Sequence, residues 1–157
     1  MTVKCTIDHD LDTVWEMLSD PQFRVDRSEA LGEFNAECEI ETDDDSATVT
    51  MSRDVERELP SVLAKVFNSR QSLSFVEQWQ WDGEGWTGTL QVEVQGQPVK
   101  ISADFSLKPD GDGCVYEITH YCKAKIPLVG GKVEKFILAE TDKGAEAELD
   151  YLIKALG

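Results

Sequence analysis

Arg53, Glu77, Tyr116 and His120 are polar residues standing where the chain's pattern asks for apolar ones. Each falls on the inward side of an alternating segment, so each is expected to point toward the core. An imidazole beside a phenol or carboxylate can move protons. His120 as general acid or base, with Tyr116 or Glu77 as its partner, would suit a cyclase or dehydratase. The same groups can instead orient the polar end of a ligand in an apolar cavity. A third reading is structural: Arg53 and Glu77, on neighbouring strands, form an ion pair, and His120 is hydrogen-bonded inside a filled core. All three stay open on the residues alone.

Other reactive patterns fall away. Gly83-Glu84-Gly85-Trp86-Thr87-Gly88 spells a dinucleotide-binding fingerprint, but it lies between two strands, with no helix N-terminus for a pyrophosphate. Asp43-Asp44-Asp45 and Asp110-Gly111-Asp112 lack a calcium loop with a closing glutamate. Cys5, Cys38, Cys114 and Cys122 have no zinc-type spacing and fall on apolar strand faces, which predicts free, reduced thiols. No nucleophile elbow is present. No catalytic residue, metal or cofactor is therefore assigned, and the balance leans away from an enzyme.

The elements that must position these side chains read clearly. Val3, Cys5 and Ile7 alternate in a first strand, and two short helices follow, one capped by Asp10 or Asp12, the other restarted by Pro21. From Phe34 to Ala124 the period is two, giving six more strands with one apolar and one wet face, as an antiparallel sheet requires. Folding the hairpins about their turns pairs Trp81 with Trp86, Trp79 with Gly88, Val92 with Ile101, Phe105 with Tyr116 and Ile101 with His120. Trp79, Trp81 and Trp86 gather near one hairpin end, packed in the core or stacked on a planar ligand. Residues 60–67 read as a short amphipathic helix with Val62, Leu63, Val66 and Phe67 inward, and are expected to act as a mobile cover. A long helix runs from about Lys132 to Leu156, with Phe136, Thr141, Gly144 and Glu148 near its inward stripe. Gly144 in mid-helix fits close packing on the sheet or room for a ligand.

The whole chain, 157 residues, is expected to be one α+β domain. Its net charge of −16 disfavours nucleic acid and stable membrane association. With no spanning run and no signal-peptide pattern, the expected location is cytoplasmic.

Asp12-Thr13-Val14-Trp15-Glu16-Met17-Leu18-Ser19-Asp20-Pro21-Gln22-Phe23 resembles the first-helix motif of the START-like, or helix-grip, superfamily of SRPBCC type. Ile126 to Lys135, Glu58-Leu59-Pro60 and Glu77-Gln78-Trp79 resemble a bacterial branch of it with no assigned function. The resemblance implies a curved seven-stranded antiparallel sheet wrapped around the C-terminal helix, with a cavity between them. It carries over no catalytic residue. The function expected is binding or transfer of an apolar molecule, lipid-like or aromatic, with Arg53, Glu77, Trp79, Phe105, Tyr116, His120, Phe136 and Gly144 around it. The alternatives are the His120 enzyme and a protein-interaction module with a filled core.

Overall fold

The computed structural model describes residues 2–65 and 67–157, with Val62 described in its backbone alone. The chain runs β1 (Thr2–Ile7), α1 (Leu11–Leu18), α2 (Pro21–Ala30), β2 (Phe34–Thr42), β3 (Ser46–Glu56), α3 (Ser61–Ala64), β4 (Arg70–Trp81), β5 (Trp86–Val94), β6 (Val99–Asp110), β7 (Gly113–Ala124) and α4 (Gly130–Leu156). The strands form one antiparallel sheet in the order β1-β7-β6-β5-β4-β3-β2. From β2 to β7 it is a meander. The two helices after β1 let the first strand pair with the last.

Local chemistry sets the helix ends. The Asp10 side chain accepts the Thr13 N–H and starts α1, and Asp20 accepts the Gln22 N–H with Pro21 opening α2. Gly32, at φ 87°, turns the chain out of α2. The long α4 lies against β7 and β1 and touches α2, burying Val133, Asp142, Ala145, Leu149 and Leu152. The apolar core fills the sheet's inner face, and Val14 and Leu18 of α1 are part of it.

Most hairpins pair as expected: Trp81 faces Trp86, Trp79 faces Gly88 and Val92 faces Ile101. A methyl group on Gly88 would sit 2.9 Å from Trp79 Cδ2, so the indole lies over the glycine. The β6–β7 register is a correction. Phe105 faces Ile118, Leu107 faces Tyr116, and Ala103, not Ile101, faces His120. The turn centres between Gly111 and Asp112, one position later than expected, because Gly111 takes φ 59°. A register shift of two keeps every side chain on its face. It also gives His120 a small neighbour in Ala103, which leaves the imidazole room to reach the helix.

The 60–67 segment is a correction too. Among the described residues of the segment, helix is confined to Ser61–Ala64, a single turn. Leu63 and Phe67 are buried as expected, while Val66 and the side chain of Val62 lie outside the described residues. All four cysteines are free. Burial pushes the Cys114 and Cys122 thiols up to about 11, so both stay protonated at neutral pH.

Candidate functional site

A cavity of about 250 Å³ lies between the sheet and α4. Met51, Leu73, Leu90, Val92, Ile101 and Phe105 give it apolar walls. Arg24, Arg27, Arg53, Glu77 and Glu148 make it charged as well, and Tyr116 and His120 also line it. Gly144 and Ala147 border it from α4. A Cβ built on Gly144 would meet no atom within 4 Å, so close packing on the sheet does not account for that glycine.

The charged side is built from α2, β3, β4 and α4. Arg24 is the most completely held group. Its Nε donates to the Leu18 carbonyl at 2.7 Å, and its two Nη atoms donate to the Glu77 carboxylate at 2.7 and 3.1 Å. The Trp79 indole N–H donates to Glu77 Oε1 at 2.8 Å. Burial alone would push the Glu77 carboxyl up, but the Arg24 charge and the hydrogen bonds outweigh it and hold Glu77 below the usual carboxylate range. Burial opposes the Arg24 charge in turn, and Glu77 more than compensates, so the Arg24 pKa is raised.

The second cluster is looser. Arg27 Nη2 lies 2.8 Å from Glu148 Oε2, and Arg53 Nη1 lies 3.6 Å from the same oxygen and 3.2 Å from Glu33 Oε1. Arg53 also donates to Ser28 Oγ at 3.2 Å, and its guanidinium lies 4.2 Å from the Phe75 ring centre. The expected Arg53–Glu77 pair is therefore a correction: Glu77 belongs to Arg24, and Arg53 to Glu33 and Glu148. Burial lowers the Arg27 pKa, and Glu148 offsets this only in part. Burial likewise raises the Glu33 carboxyl despite the Arg53 charge. Among the described residues, the buried Nε atoms of Arg27 and Arg53 have no hydrogen-bond partner.

His120 reaches across to α4, where its Nδ1 lies 2.8 Å from Asp142 Oδ1, with both residues buried. When Asp142 is ionised, the hydrogen sits on Nδ1, which fixes the ring's orientation. Tyr116 is buried, and that burial, reinforced by Glu77, keeps its phenol protonated. The structure thus gathers Arg53, Glu77, Phe105, Tyr116, His120 and Gly144 around one space. Trp79 stands behind the wall, stacked on Phe105 with ring centres 4.9 Å apart. Phe136 lies at a separate apolar gap with Leu59 and Phe67, which shares Arg57, Leu73 and Ile101 with the main cavity.

Arg24, Arg27 and Asp142 were not among the residues singled out by sequence. The signal for the arginines is the poverty of α2 in apolar side chains. Arg24, Arg27 and Ser28 share its buried face, because no apolar stripe competes for it.

Among the described residues, no helix is long and apolar enough to cross a membrane, and no group of three or more His, Cys, Asp or Glu could hold a metal. A family model described as "Protein of unknown function (DUF2505)" matches residues 2–156. No curated protein matches the chain. Among solved structures, a protein from Thermus thermophilus aligns over 99% of this chain and 95% of its own, with 12% identity and a TM-score of 0.62. An aromatase/cyclase from Streptomyces sp. R1128 covers 99% and 92%, with 13% identity and a TM-score of 0.60. Norcoclaurine synthase from Thalictrum flavum, in complex with dopamine and hydroxybenzaldehyde, covers 99% and 84%, with 20% identity and a TM-score of 0.58. These likenesses establish the helix-grip fold, with the sheet around the long C-terminal helix.

Proposed function

The chain belongs to the DUF2505 family, and for it we propose a binding role in which the cavity between sheet and α4 takes up an apolar small molecule with one polar end. The observation that carries this is the cavity itself, about 250 Å³ with apolar walls and one charged side. Ligand sites have that composition. The volume lies just below the roughly 300–1,000 Å³ of typical pockets, so a mono- or bicyclic compound fits better than a diacyl lipid. The aromatic compounds in the Thalictrum flavum synthase support the same class.

In this reading Phe105 packs on the ligand, and Arg53, Tyr116 and His120 face its polar end. Glu77 and Trp79 act indirectly, by fixing Arg24. Phe136 and Phe67 receive any tail that displaces Arg57 from the shared wall. Leu63 and Phe67, both buried, belong to the cover through which the ligand passes. The free thiols suit a reducing, cytoplasmic setting. Burial of the ligand's apolar surface drives uptake at about 25 cal/mol per Å².

Titration with N-phenyl-1-naphthylamine, a neutral apolar fluorophore, tests the role. Saturable enhancement is expected, weakened several-fold in Ala147→Leu, which pushes a larger side chain toward the cavity from a helical position that tolerates leucine. Enhancement that never saturates, or that ignores the variant, would remove the cavity reading.

One observation favours a second reading. The His120–Asp142 contact is the orienting half of an acid–base dyad. Turnover of a carbonyl substrate that vanishes in both His120→Gln and Asp142→Asn would establish it.

A further inference from the structure

Resting on the binding role above, we infer that the ligand's polar end is a carboxylate, received side-on by Arg27 and Arg53. A guanidinium presents its donors as planar forks that match a carboxylate's two oxygens. Arg24 has spent all three of its nitrogens, on Leu18 and on both Glu77 oxygens. Arg27 has not. Its side chain is only 9% exposed, yet among the described residues Glu148 is its one ionic partner and its Nε has no hydrogen-bond partner. Arg53 repeats the pattern: it is 12% exposed, its contacts run through Nη1, and its Nε is also unpartnered among them.

Two buried cations with unused donors on one cavity wall are costly as structure alone. Apolar replacements would pack the same space more cheaply. Their unused Nε edges are what an incoming carboxylate needs. On binding, either guanidinium turns that edge into the cavity while an Nη keeps its hold on Glu148. A single charge suits the site. Glu148 and Glu33 already face the pair, and a doubly charged ligand would be repelled by both.

The acidic exterior does not forbid this ligand. With a net charge of −16 the chain repels anions at a distance, but at physiological salt that field is screened beyond roughly 8 Å, whereas contacts inside the cavity are not. Association with an anion should therefore speed up as salt rises, opposite to a surface site built on attraction.

Isothermal calorimetry on the full chain with 1-naphthoic acid, 1-naphthamide and 1-naphthyl phosphate tests the assignment. The acid should bind at least tenfold more tightly than the amide. In Arg27→Lys and Arg53→Lys, checked for folding by circular dichroism, that preference should fall several-fold while the amide's affinity holds. Equal binding of acid and amide by the wild-type protein would overturn the carboxylate assignment and leave the cavity reading standing. Tightest binding of the phosphate would replace the carboxylate by a phosphoryl head, and so also overturn it. Failure of all three compounds and of the neutral fluorophore would overturn the cavity reading itself, and this inference with it.

Discussion

Two buried arginines three residues apart on α2 meet different fates. Arg24 is locked: a backbone carbonyl and both oxygens of Glu77 use its donors, and Trp79 ties down the same carboxylate. Arg27 shares one glutamate oxygen with Arg53 and leaves its Nε without a partner among the described residues. The protonation energetics run the same way. Arg24 and Glu77 each gain more from their partners together than burial takes away. Arg27 and Glu33 do not. The lesson is that burial of charge is not one phenomenon. A saturated pair braces a fold, and an unsaturated one of the same chemistry keeps capacity for something else.

The largest separation should appear in equilibrium urea unfolding. Glu77→Gln strands the Arg24 charge and is expected to cost about 3–5 kcal/mol. Glu33→Gln leaves Arg53 its contacts with Glu148 and Ser28 and is expected to cost about 1 kcal/mol. Equal losses would erase the distinction between the clusters.

Acid unfolding sharpens it next. The folded-state pKa of Glu77 lies below its usual value of about 4.5. Its contribution is therefore complete above that value and is lost as pH falls through it toward the lower folded-state pKa. Glu33 is shifted the other way, so its protonation on acidification relieves the folded state. Within the looser cluster the downward shift of Glu148 is thus opposed by the upward shift of Glu33. Stability measured from pH 7 to 3 should fall steeply in the wild-type protein and more gently in Glu77→Gln. An unchanged slope in that variant would place the acid sensitivity elsewhere.

Trp79→Phe removes one donor from Glu77 and keeps most of the ring stacked on Phe105. It should lower stability by about 1–2 kcal/mol without changing probe affinity. Lost affinity would move Trp79 from a brace to the binding surface. The smallest effect is on α4. Gly144→Ala gains helix propensity, and its methyl meets no atom within 4 Å, so a gain of about 0.5–1 kcal/mol is expected in thermal unfolding. A loss would mean the position is crowded.

The sheet was legible because period two marks which side chain faces in, and that marking survives a register shift of two. The same insensitivity hid the true β6–β7 pairing: Gly111 set the turn one position later, and no face changed to signal it. The pairing of charges was less legible. Glu77 and Arg53 lie on adjacent strands, which suggested a bond, but Arg24, 53 residues earlier, reaches Glu77 from the helix side. Helical arginines default to solvent in any reading by pattern, and only the packing of α2 turns these two inward. Asp142 escaped for a related reason. The pattern runs the inward stripe of α4 through Thr141, Gly144, Ala145, Glu148 and Leu152 and passes over Asp142, which is buried beside Ala145, Leu149 and Leu152. A charge is hard to assign to an apolar stripe until its His120 partner is seen.

Native mass spectrometry of the protein purified from its own cells tests the central claim most directly, with added 1-naphthoic acid as a control for complexes that survive the spray. The cavity account requires a fraction of the chain to carry a small co-purified molecule, released on denaturation, that ionises as a monoanion and competes with naphthoate. Bare chain alone, under conditions where the naphthoate complex persists, would contradict it.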